Sequence, residues 1–225
     1  MKITAVIPCY NEEKSIGGVI QSMPKEVNEI LVVDNNSTDK SAEVAQKLGA
    51  RVVKEFKKGY GYAYQKGFES VDGDVIVTLD ADGQYSPEEI PKLLKYFFEN
   101  NLDFLSASRI PFSKGSEPFI RGLGNIAFTI FTNLLFSIKL QDSWSGMWVF
   151  KKDALKHLPL KSGDMPLSQE IKIRAALSPH IKFGEYHIPY FPRTGDSKLF
   201  PLKHGLMTIW FLLGLKKELF HEKRK

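Results

Sequence analysis

Two carboxylates stand one residue apart directly after a short apolar, β-branched run. The run occupies residues 75–79 and leads into Asp80, Asp82 and Gln84. In an open α/β sheet, ligands bind outside the carboxyl ends of the strands, so acids in this place face a ligand rather than the core. Carboxylate and amide oxygens are hard ligands that suit Mg²⁺ or Mn²⁺. The spacing therefore indicates a divalent-cation site, but an acidic turn alone is a weak signal that needs support from its surroundings.

A cation held by two or three protein groups keeps coordination positions open for the phosphate oxygens of a substrate. Such a cation can neutralise a diphosphate leaving group as negative charge develops on it. The sequence contains no Cys/His cluster with zinc spacing, no Walker P-loop, no G-x-G-x-x-G after its first apolar run and no G-x-S-x-G. These absences argue against zinc chemistry, ATP-driven phosphoryl transfer, dinucleotide redox chemistry and a serine triad.

Residues 57–63 carry a second signal, this time for an anion. Lys57, Lys58, Gly59 and Gly61 open a predicted helix. A helix N-terminus with free amides and nearby cations is suited to binding a phosphate. A surface loop with ordinary lysines accounts for the same residues equally well.

The composition is that of one globular domain, or of one domain with a tail. The chain has 225 residues, of which 43% are hydrophobic and 25% charged, and this is enough for a sizeable core. Its single cysteine, Cys9, excludes a disulfide framework and indicates a reducing compartment. Because Cys9 ends an apolar run, we interpret it as a packing residue rather than a nucleophile. The net charge of +5 comes without a nucleic-acid-binding signature.

The elements that must position these residues alternate between strands and helices. Strands are predicted over residues 3–7, 29–33, 50–54, 74–79 and 103–107, with helices between them. This order predicts an α/β fold with a mostly parallel, doubly wound sheet. Because crossovers are right-handed, the loops after the first, second and fourth strands lie along one edge of that sheet. We therefore expect Tyr10, Glu12, Asp34, Asp80 and Asp82 to converge.

The second half of the chain has a more apolar texture. Residues 120–140 predict a helix that is apolar on most of its circumference, which fits core burial, partner packing or a membrane interface equally. Residues 167–177 predict an amphipathic helix, and residues 183–190 alternate like a strand. The predicted helix at 202–215 is too short to cross a bilayer and has lysines on both sides, so we expect it to lie in an anionic membrane interface. Docking of this helix on the core or on a second copy is the alternative.

Three segments resemble the successive signatures of inverting family 2 glycosyltransferases with the GT-A fold. They are residues 6–13, 33–39 and 79–84, within a likeness that covers about the first 200 residues. The resemblance implies a GT-A (Rossmann-like) domain over residues 1–200, with a mostly parallel central sheet flanked by helices. Residues 201–225 would then form a basic amphipathic C-terminal helix, peripheral to a membrane.

Within that family the sequence is similar to the polyprenyl-phosphate (dolichyl-phosphate) mannosyl- and glucosyltransferases. The likeness rests on Gln84 after the Asp-Ala-Asp, on Ser108-Arg109, on the helix start at 121–125, on the Asp-Ser-x-Ser-Gly at 142–146 and on Arg193 followed by Ser197-Lys198. The Gln-x-x-Arg-Trp motif of the processive polysaccharide synthases is absent, which argues against a polymerising enzyme.

The resemblance also implies which residues hold the donor nucleotide. Pro8, Tyr10 and Glu12 match the loop around the base and ribose, and Asp34 matches the acid that contacts the nucleoside. The family often has a second acid where this chain has Asn35, so the choice between GDP and UDP stays open.

The remaining roles concern the diphosphate, the cation and the acceptor. We place Lys58 and Asp80 at the donor nucleotide, and Asp80, Asp82 and Gln84 at the Mg²⁺ or Mn²⁺ ion. Basic residues would bind the donor diphosphate and the lipid-linked phosphate, because the planar guanidinium suits phosphate. Together with Asp82, these implied catalytic residues are Arg109, Arg121, Arg193 and Lys198.

The implied reaction moves mannose or glucose from a GDP- or UDP-sugar to a polyprenyl or dolichyl phosphate at the cytoplasmic face of a membrane. A phosphate acceptor is already anionic near neutral pH, so it needs no general base. Glu170 stands where related enzymes with hydroxyl acceptors place a base, and a structural role for it is equally open. The alternatives are the same donor chemistry with a soluble sugar hydroxyl as acceptor, and a catalytically silent nucleotide-sugar-binding membrane scaffold. The oligomeric state is not indicated.

Overall fold

A computed structural model of the chain describes residues 1–113, 115, 119–194 and 201–222. These residues form one seven-stranded sheet with helices on both of its faces. The strands are β1 Ile3–Cys9, β2 Glu29–Asp34, β3 Arg51–Lys54, β4 Val75–Thr78, β5 Phe104–Ser108, β6 Trp148–Lys151 and β7 Phe183–His187. The α-helices are α1 Ile16–Gln21, α2 Ser41–Lys47, α3 Tyr60–Ser70, α4 Ile90–Glu99, α5 Phe119–Phe136, α6 Leu167–Leu177 and α7 Pro201–Glu222.

The sheet is mostly parallel, as the strand–helix alternation predicted. Its strand order is β3-β2-β1-β4-β6-β5-β7, and β6 alone runs antiparallel to its neighbours β4 and β5. In the register, Val77 of β4 faces Val149 of β6, and Ser106 of β5 faces Trp148. The antiparallel strand therefore begins where β4 and β5 end. As a result, the loop before β6 reaches the same sheet edge as the loops after β4 and β5.

The central strands are apolar on both faces because helices cover both sides. Ala5 and Ile7 of β1 belong to the buried cluster that includes residues of α1, α2 and α4. Val6, between them, belongs to the cluster that includes residues of α3 and α6. The sheet is thus the middle layer of a three-layer domain, and only its edges are open to ligands.

The first strand is longer than its sequence predicted. It was expected to stop before Pro8, but it continues through Pro8 to Cys9 and pairs with β2 along that length. Val6 turns its carbonyl toward β4, where it accepts a hydrogen bond from the Leu79 amide at 3.4 Å. Because backbone polar groups alternate between the two sides of a strand, those of residue 8 also point toward β4. Residue 8 lies beyond the last β1–β4 pair, which joins Val6 and Thr78. Pro8 has no N–H with which to continue this ladder, which agrees with the end of the β1–β4 pairing at Val6 and Thr78.

The amphipathic interpretation of α6 was wrong. Every residue from 167 to 175 is buried, including four that are polar or charged besides Ser168: Gln169, Glu170, Lys172 and Arg174. The helix is covered on both sides, because Ile171 packs toward the sheet while Ile173 packs into a cluster with residues of α5 and α7. Each of these four side chains makes at least one hydrogen bond inside the protein, although the amide oxygen of Gln169 accepts none among the described residues.

Helices α5 and α7 form an outer layer with one buried and one exposed face. Leu212 and Leu215 of α7 are buried with Phe136 of α5. Within the described residues, no helix combines the length and the apolar composition that spanning a bilayer requires. The exposed apolar side chains of the two helices are Leu123, Ile126, Ile130, Leu134, Leu206, Trp210, Leu213 and Phe220.

Candidate active site

Acids from different loops meet at the carboxyl edge of the sheet, and Arg193 links them. Its Nη1 donates to Asp82 Oδ2 and its Nη2 donates to Glu12 Oε1. The backbone fixes this arrangement, because Thr194 N donates to Asp82 O at 3.1 Å and Phe191 N donates to Gln84 O at 3.0 Å. The structure therefore brings Glu12 and Asp82 together as strand order predicted, and it places Arg193 between them.

Asp82 is buried and Asp80 is half-buried, and both carboxylates have raised proton affinity. Burial, and then the charge of Asp82, raise the pKa of Asp80 to about 7, and the Tyr60 hydroxyl donates to Asp80 Oδ1 at 3.3 Å. Burial also raises the pKa of Asp82, although Arg193 opposes this shift. The backbone amide of Gln84 donates to Asp82 Oδ1 at 3.0 Å. Because two neighbouring carboxylates are costly to ionise together, a cation bound at this point would stabilise their charged forms.

The residues at this point fit a divalent cation. Asp80 and Asp82 offer hard oxygens, and the amide nitrogen of Gln84 donates to Phe191 O at 3.2 Å, which leaves the amide oxygen for a ligand. Among the described residues, no three or more His, Cys, Asp and Glu side chains are grouped to hold a metal by themselves. The protein would thus supply few ligands, and a cation there competes with Arg193 for Asp82.

The residues expected at the nucleotide lie at the ends of β1 and β2 and in the loop after β3. Pro8 pairs with Val33 of β2, and the next pair in the register is Cys9 with Asp34. Asp34 is buried, and its Oδ1 accepts a hydrogen bond from Ser37 N at 3.1 Å. Burial raises the pKa of the Cys9 thiol to about 12, which agrees with a packing role.

Lys58 and Tyr10 come together across two of these loops. The Lys58 ammonium donates to the Tyr10 hydroxyl at 3.2 Å and lies 5.0 Å from the centre of its ring. Both residues were predicted to contact the donor nucleotide from separate sequence signals. The structure places them side by side, with Lys58 exposed.

Arg109 is a buried member of an ion pair, which its sequence context did not predict. Its Nε and Nη2 donate to the carboxylate of Asp142 at 2.7 and 3.0 Å, and the rings of Tyr190 and Phe112 lie 5.0 and 5.8 Å from its guanidinium carbon. Burial alone would raise the pKa of Asp142, but the charge and hydrogen bonds of Arg109 outweigh it and bring the pKa down to about 2. The Nη1 group of Arg109 and the second N–H of its Nη2 lie outside this bidentate pair, so phosphate binding would fall to them.

Three further predicted residues fall elsewhere. Arg121 lies in the first turn of α5, with its side chain outside the described part, and Lys198 lies outside the described residues altogether. Glu170 is fully buried, and its carboxylate accepts hydrogen bonds from the amides of Lys161 and Ser162 at 3.0 and 2.8 Å. It also accepts one from the neighbouring Arg174 Nε at 3.0 Å. This geometry favours the structural interpretation of Glu170 over the catalytic one.

The loop before β6 contributes residues whose roles the sequence did not reveal. Gly146 lies so close to the acids that a β-carbon on it would be 2.4 Å from the Tyr60 hydroxyl. Lys172 fixes the loop from below, since its ammonium donates to Asp142 O at 2.8 Å and to Ser145 O at 2.9 Å. Burial lowers the pKa of Lys172 to about 7 although Asp142 opposes the shift. The Asp-Ser-x-Ser-Gly motif was a signal for this loop, whereas nothing in the sequence marks Lys172.

Comparison with known proteins places the chain in a family. The model of glycosyl transferase family 2 matches residues 4–159. The dolichyl-phosphate hexose transferase of Haloferax volcanii is 33% identical over 208 residues, which are 90% of this chain and 89% of the relative. The low-salt glycan biosynthesis hexosyltransferase Agl6 of the same organism is 33% identical over 219 residues, and the match spans only 53% of that longer relative. The chain therefore belongs to glycosyltransferase family 2 and is a glycosyltransferase.

Solved structures show the same fold. Glucosyl-3-phosphoglycerate synthase of Mycobacterium tuberculosis, in complex with Mn²⁺, UDP-glucose and phosphoglyceric acid, superposes with a TM-score of 0.75. The match covers 96% of this chain and 80% of the synthase at 20% sequence identity. At this identity the likeness establishes the GT-A, Rossmann-like architecture, which the resemblance of the sequence motifs had implied.

Proposed function

We propose that this chain transfers a hexose from a nucleotide-sugar to a polyprenyl or dolichyl phosphate, with inversion and with Mg²⁺ or Mn²⁺ bound. The observation that carries the proposal is the meeting of two neighbouring carboxylates, one buried and one half-buried, with arginines from separate loops. Asp80 and Asp82 form the acidic half; Arg193 donates to Asp82, and the charge of Arg109 acts on Asp80. The name of the Haloferax dolichyl-phosphate hexose transferase, which matches over nearly its whole length, supports a lipid-phosphate acceptor.

In this proposal, the acceptor phosphate oxygen attacks the anomeric carbon and the nucleoside diphosphate leaves from the opposite face. The divalent cation at Asp80, Asp82 and Gln84 would neutralise the charge that develops on the leaving diphosphate. The acceptor is already anionic and needs no base, which suits a site in which Glu170 is tied to backbone amides. Arg193 donates to Asp82 in this structure, and it would turn toward a phosphate if the cation took that carboxylate.

The nucleotide-sugar would enter on the side of β1, β2 and β3. Tyr10 and Lys58 lie together there, and Asp34 ends the adjoining strand. The acceptor would enter from the side of Arg109 and the first turn of α5, which leads directly to the exposed apolar faces of α5 and α7. A lipid-linked acceptor could then remain partly in a membrane while its phosphate reaches the acids.

We propose that the exposed faces of α5 and α7 rest on the surface of an anionic bilayer, on the cytoplasmic side. Trp210 and Leu134 are 75% and 77% exposed and project from the two helices. Lys216 and Lys217 continue α7 with positive charge, and basic residues near an apolar face favour anionic lipid headgroups. A membrane-bound acceptor phosphate requires such contact, which makes the two proposals consistent with each other.

Transfer can be tested with the full chain, Mn²⁺, undecaprenyl or dolichyl phosphate and a panel of labelled UDP- and GDP-hexoses. We expect label in the organic phase for one donor, and loss of the signal on chelation and in Asp82→Asn. In a parallel reaction, phosphoglyceric acid or a simple sugar takes the place of the lipid phosphate as acceptor. Label only in these soluble products would favour the hydroxyl-acceptor alternative. If neither transfer nor donor hydrolysis is detected, the catalytically silent binding scaffold is the alternative that remains.

Membrane contact has its own test and a matched control. Trp210→Ser removes an exposed ring from α7, and Phe56→Ser removes one that is also 75% exposed but lies in the loop after β3. In flotation with vesicles containing anionic lipid, we expect Trp210→Ser to bind more weakly and Phe56→Ser to bind like the unchanged chain. Equal binding by the unchanged chain and both variants would contradict the proposal that α7 contacts the membrane through Trp210. Truncation of α7 is a poor test because Leu212 and Leu215 belong to the core.

A further inference from the structure

Asn35 lies where the loops after three neighbouring strands meet, and both ends of its amide are used. It is 6% exposed. Its Nδ2 donates to Glu55 O at 3.1 Å and to Lys57 O at 2.7 Å, while its Oδ1 accepts from Gly59 N at 2.8 Å. Its own backbone amide donates to Cys9 O at 2.8 Å. One side chain thus fixes the segment 55–59 to the ends of β1 and β2.

That segment has little freedom to take another path. Glu55 N donates to Asp34 O at 2.9 Å, so its beginning is fixed to β2. At its end, Gly59 has φ 149° and approaches a neighbouring loop so closely that a β-carbon there would lie 2.2 Å from Gly163 O. Between these points the chain turns Lys58 toward the Tyr10 hydroxyl, 3.2 Å away.

We propose that Asn35 is a positioning residue for nucleoside diphosphate binding, which acts by holding Lys58 against Tyr10 and does not itself contact the nucleotide. This inference rests on the proposed function, because it assumes that Lys58 and Tyr10 form a wall of the donor pocket. In this role Asn35 acts on the nucleotide only through Lys58, whereas a residue in direct contact would bind the nucleoside with its own side chain. The amide is required because it presents two donors and one acceptor, whereas an aspartate offers acceptors only and would face the carbonyls of Glu55 and Lys57.

The test uses Asn35→Asp, which keeps the size of the side chain and removes both donated hydrogen bonds. Affinities for UDP and GDP are measured by calorimetry with Mg²⁺ on the full chain, together with thermal stability. We expect Asn35→Asp and Lys58→Met each to weaken binding of the preferred nucleotide about tenfold, the factor that one or two lost hydrogen bonds produce. The control is Asn133→Asp on α5, which loses a comparable bond to Leu140 O at 2.8 Å. We expect it to bind nucleotide normally.

A double variant separates positioning from general damage. If Asn35 acts through Lys58, then Asn35→Asp combined with Lys58→Met binds no more weakly than the weaker single variant. Effects that multiply in the double variant, or nucleotide affinity that Asn35→Asp leaves unchanged, would overturn the inference while the proposed function stands. An unchanged chain that binds neither UDP nor GDP would overturn the proposed function itself.

Discussion

Asp142→Asn should destabilise the fold far more than an ordinary surface substitution. The carboxylate is fully buried and accepts hydrogen bonds from Arg109 N, Nε and Nη2 and from Trp144 N, at 2.7 to 3.1 Å. An asparagine turns one acceptor into a donor that faces the guanidinium and leaves that charge buried without a counter-charge. Removing one member of a buried pair costs about 3–5 kcal/mol. Since domains are stable by about 5–15 kcal/mol, the loss is a large part of the whole.

Denaturant unfolding followed by tryptophan fluorescence measures this loss. The control is Asp153→Asn, whose ion pair with Lys156 is solvent-exposed on both sides and should contribute nothing measurable. We also expect Arg109→Met with Asp142→Leu to recover much of the stability, because apolar residues of similar volume often replace a buried pair without loss. A loss of less than about 1 kcal/mol in Asp142→Asn, typical of exposed pairs, would refute the reasoning. For the same reason we expect Arg109→Ala, which tests the proposed phosphate contact, to lower the stability of the fold as well.

The same pair predicts a pH dependence. The pKa of Asp142 falls from 3.8 to about 2 in the folded chain. Because the folded value lies below the unfolded one, the stabilisation is fully present above about pH 4 and is lost as the pH falls toward 2. The gap in unfolding free energy between the unchanged chain and Asp142→Asn should therefore narrow across that window. A gap that stays constant from pH 5 to pH 2 would contradict the assignment.

Three further substitutions test the site. Asp82→Asn should weaken Mn²⁺ binding in calorimetry and lower turnover at least about a hundredfold, because it removes the negative charge of a proposed cation ligand; near-normal values would exclude the metal role. Gly146→Ala should push the Tyr60 hydroxyl, which would lie 2.4 Å from the new β-carbon, away from Asp80. We expect a cost of about 1–3 kcal/mol in unfolding free energy and a drop in turnover, and unchanged kinetics would show that the Tyr60 contact is dispensable. Glu170→Gln should lower the melting temperature but keep turnover per folded molecule, whereas lost turnover at normal stability would restore its role as a base.

The alternation of strands and helices in the first hundred residues was readable from the sequence because it depends on local pattern. Apolar β-branched runs ended by polar turns marked β1, β2 and β4, and the handedness of crossovers placed their ends together. Glu12 and Asp82 were expected near each other on this ground, and the structure joins them through Arg193. The family signatures lie on these same turns, so sequence and topology pointed to one edge.

The polar side chains of the second half could not be assigned in the same way. Lys172 and Glu170 lie on a helix whose polar residues suggested a solvent-exposed face. In the structure, α7 packs against Ile173 of this helix, and Lys172 and Glu170 bind the backbone of neighbouring loops. The burial of a helix depends on what packs over it, which its own periodicity does not specify. The sequence predicted Arg109 as a cation for phosphate binding. In the structure, Asp142, 33 residues away, accepts hydrogen bonds from two of its nitrogens.

The sequence by itself determined the class of fold and the acidic half of the site, because both depend on residues that are close along the chain. Only the tertiary structure decided the other half. The reversed direction of β6 carries the 142–146 loop to the ends of β4 and β5, and this loop then pairs with Arg109 and abuts Asp80. Strand direction and the partners of buried charges depend on contacts between distant segments. The free energy of each such contact depends on which groups from distant segments are buried against each other. No single segment of the sequence specifies those partners.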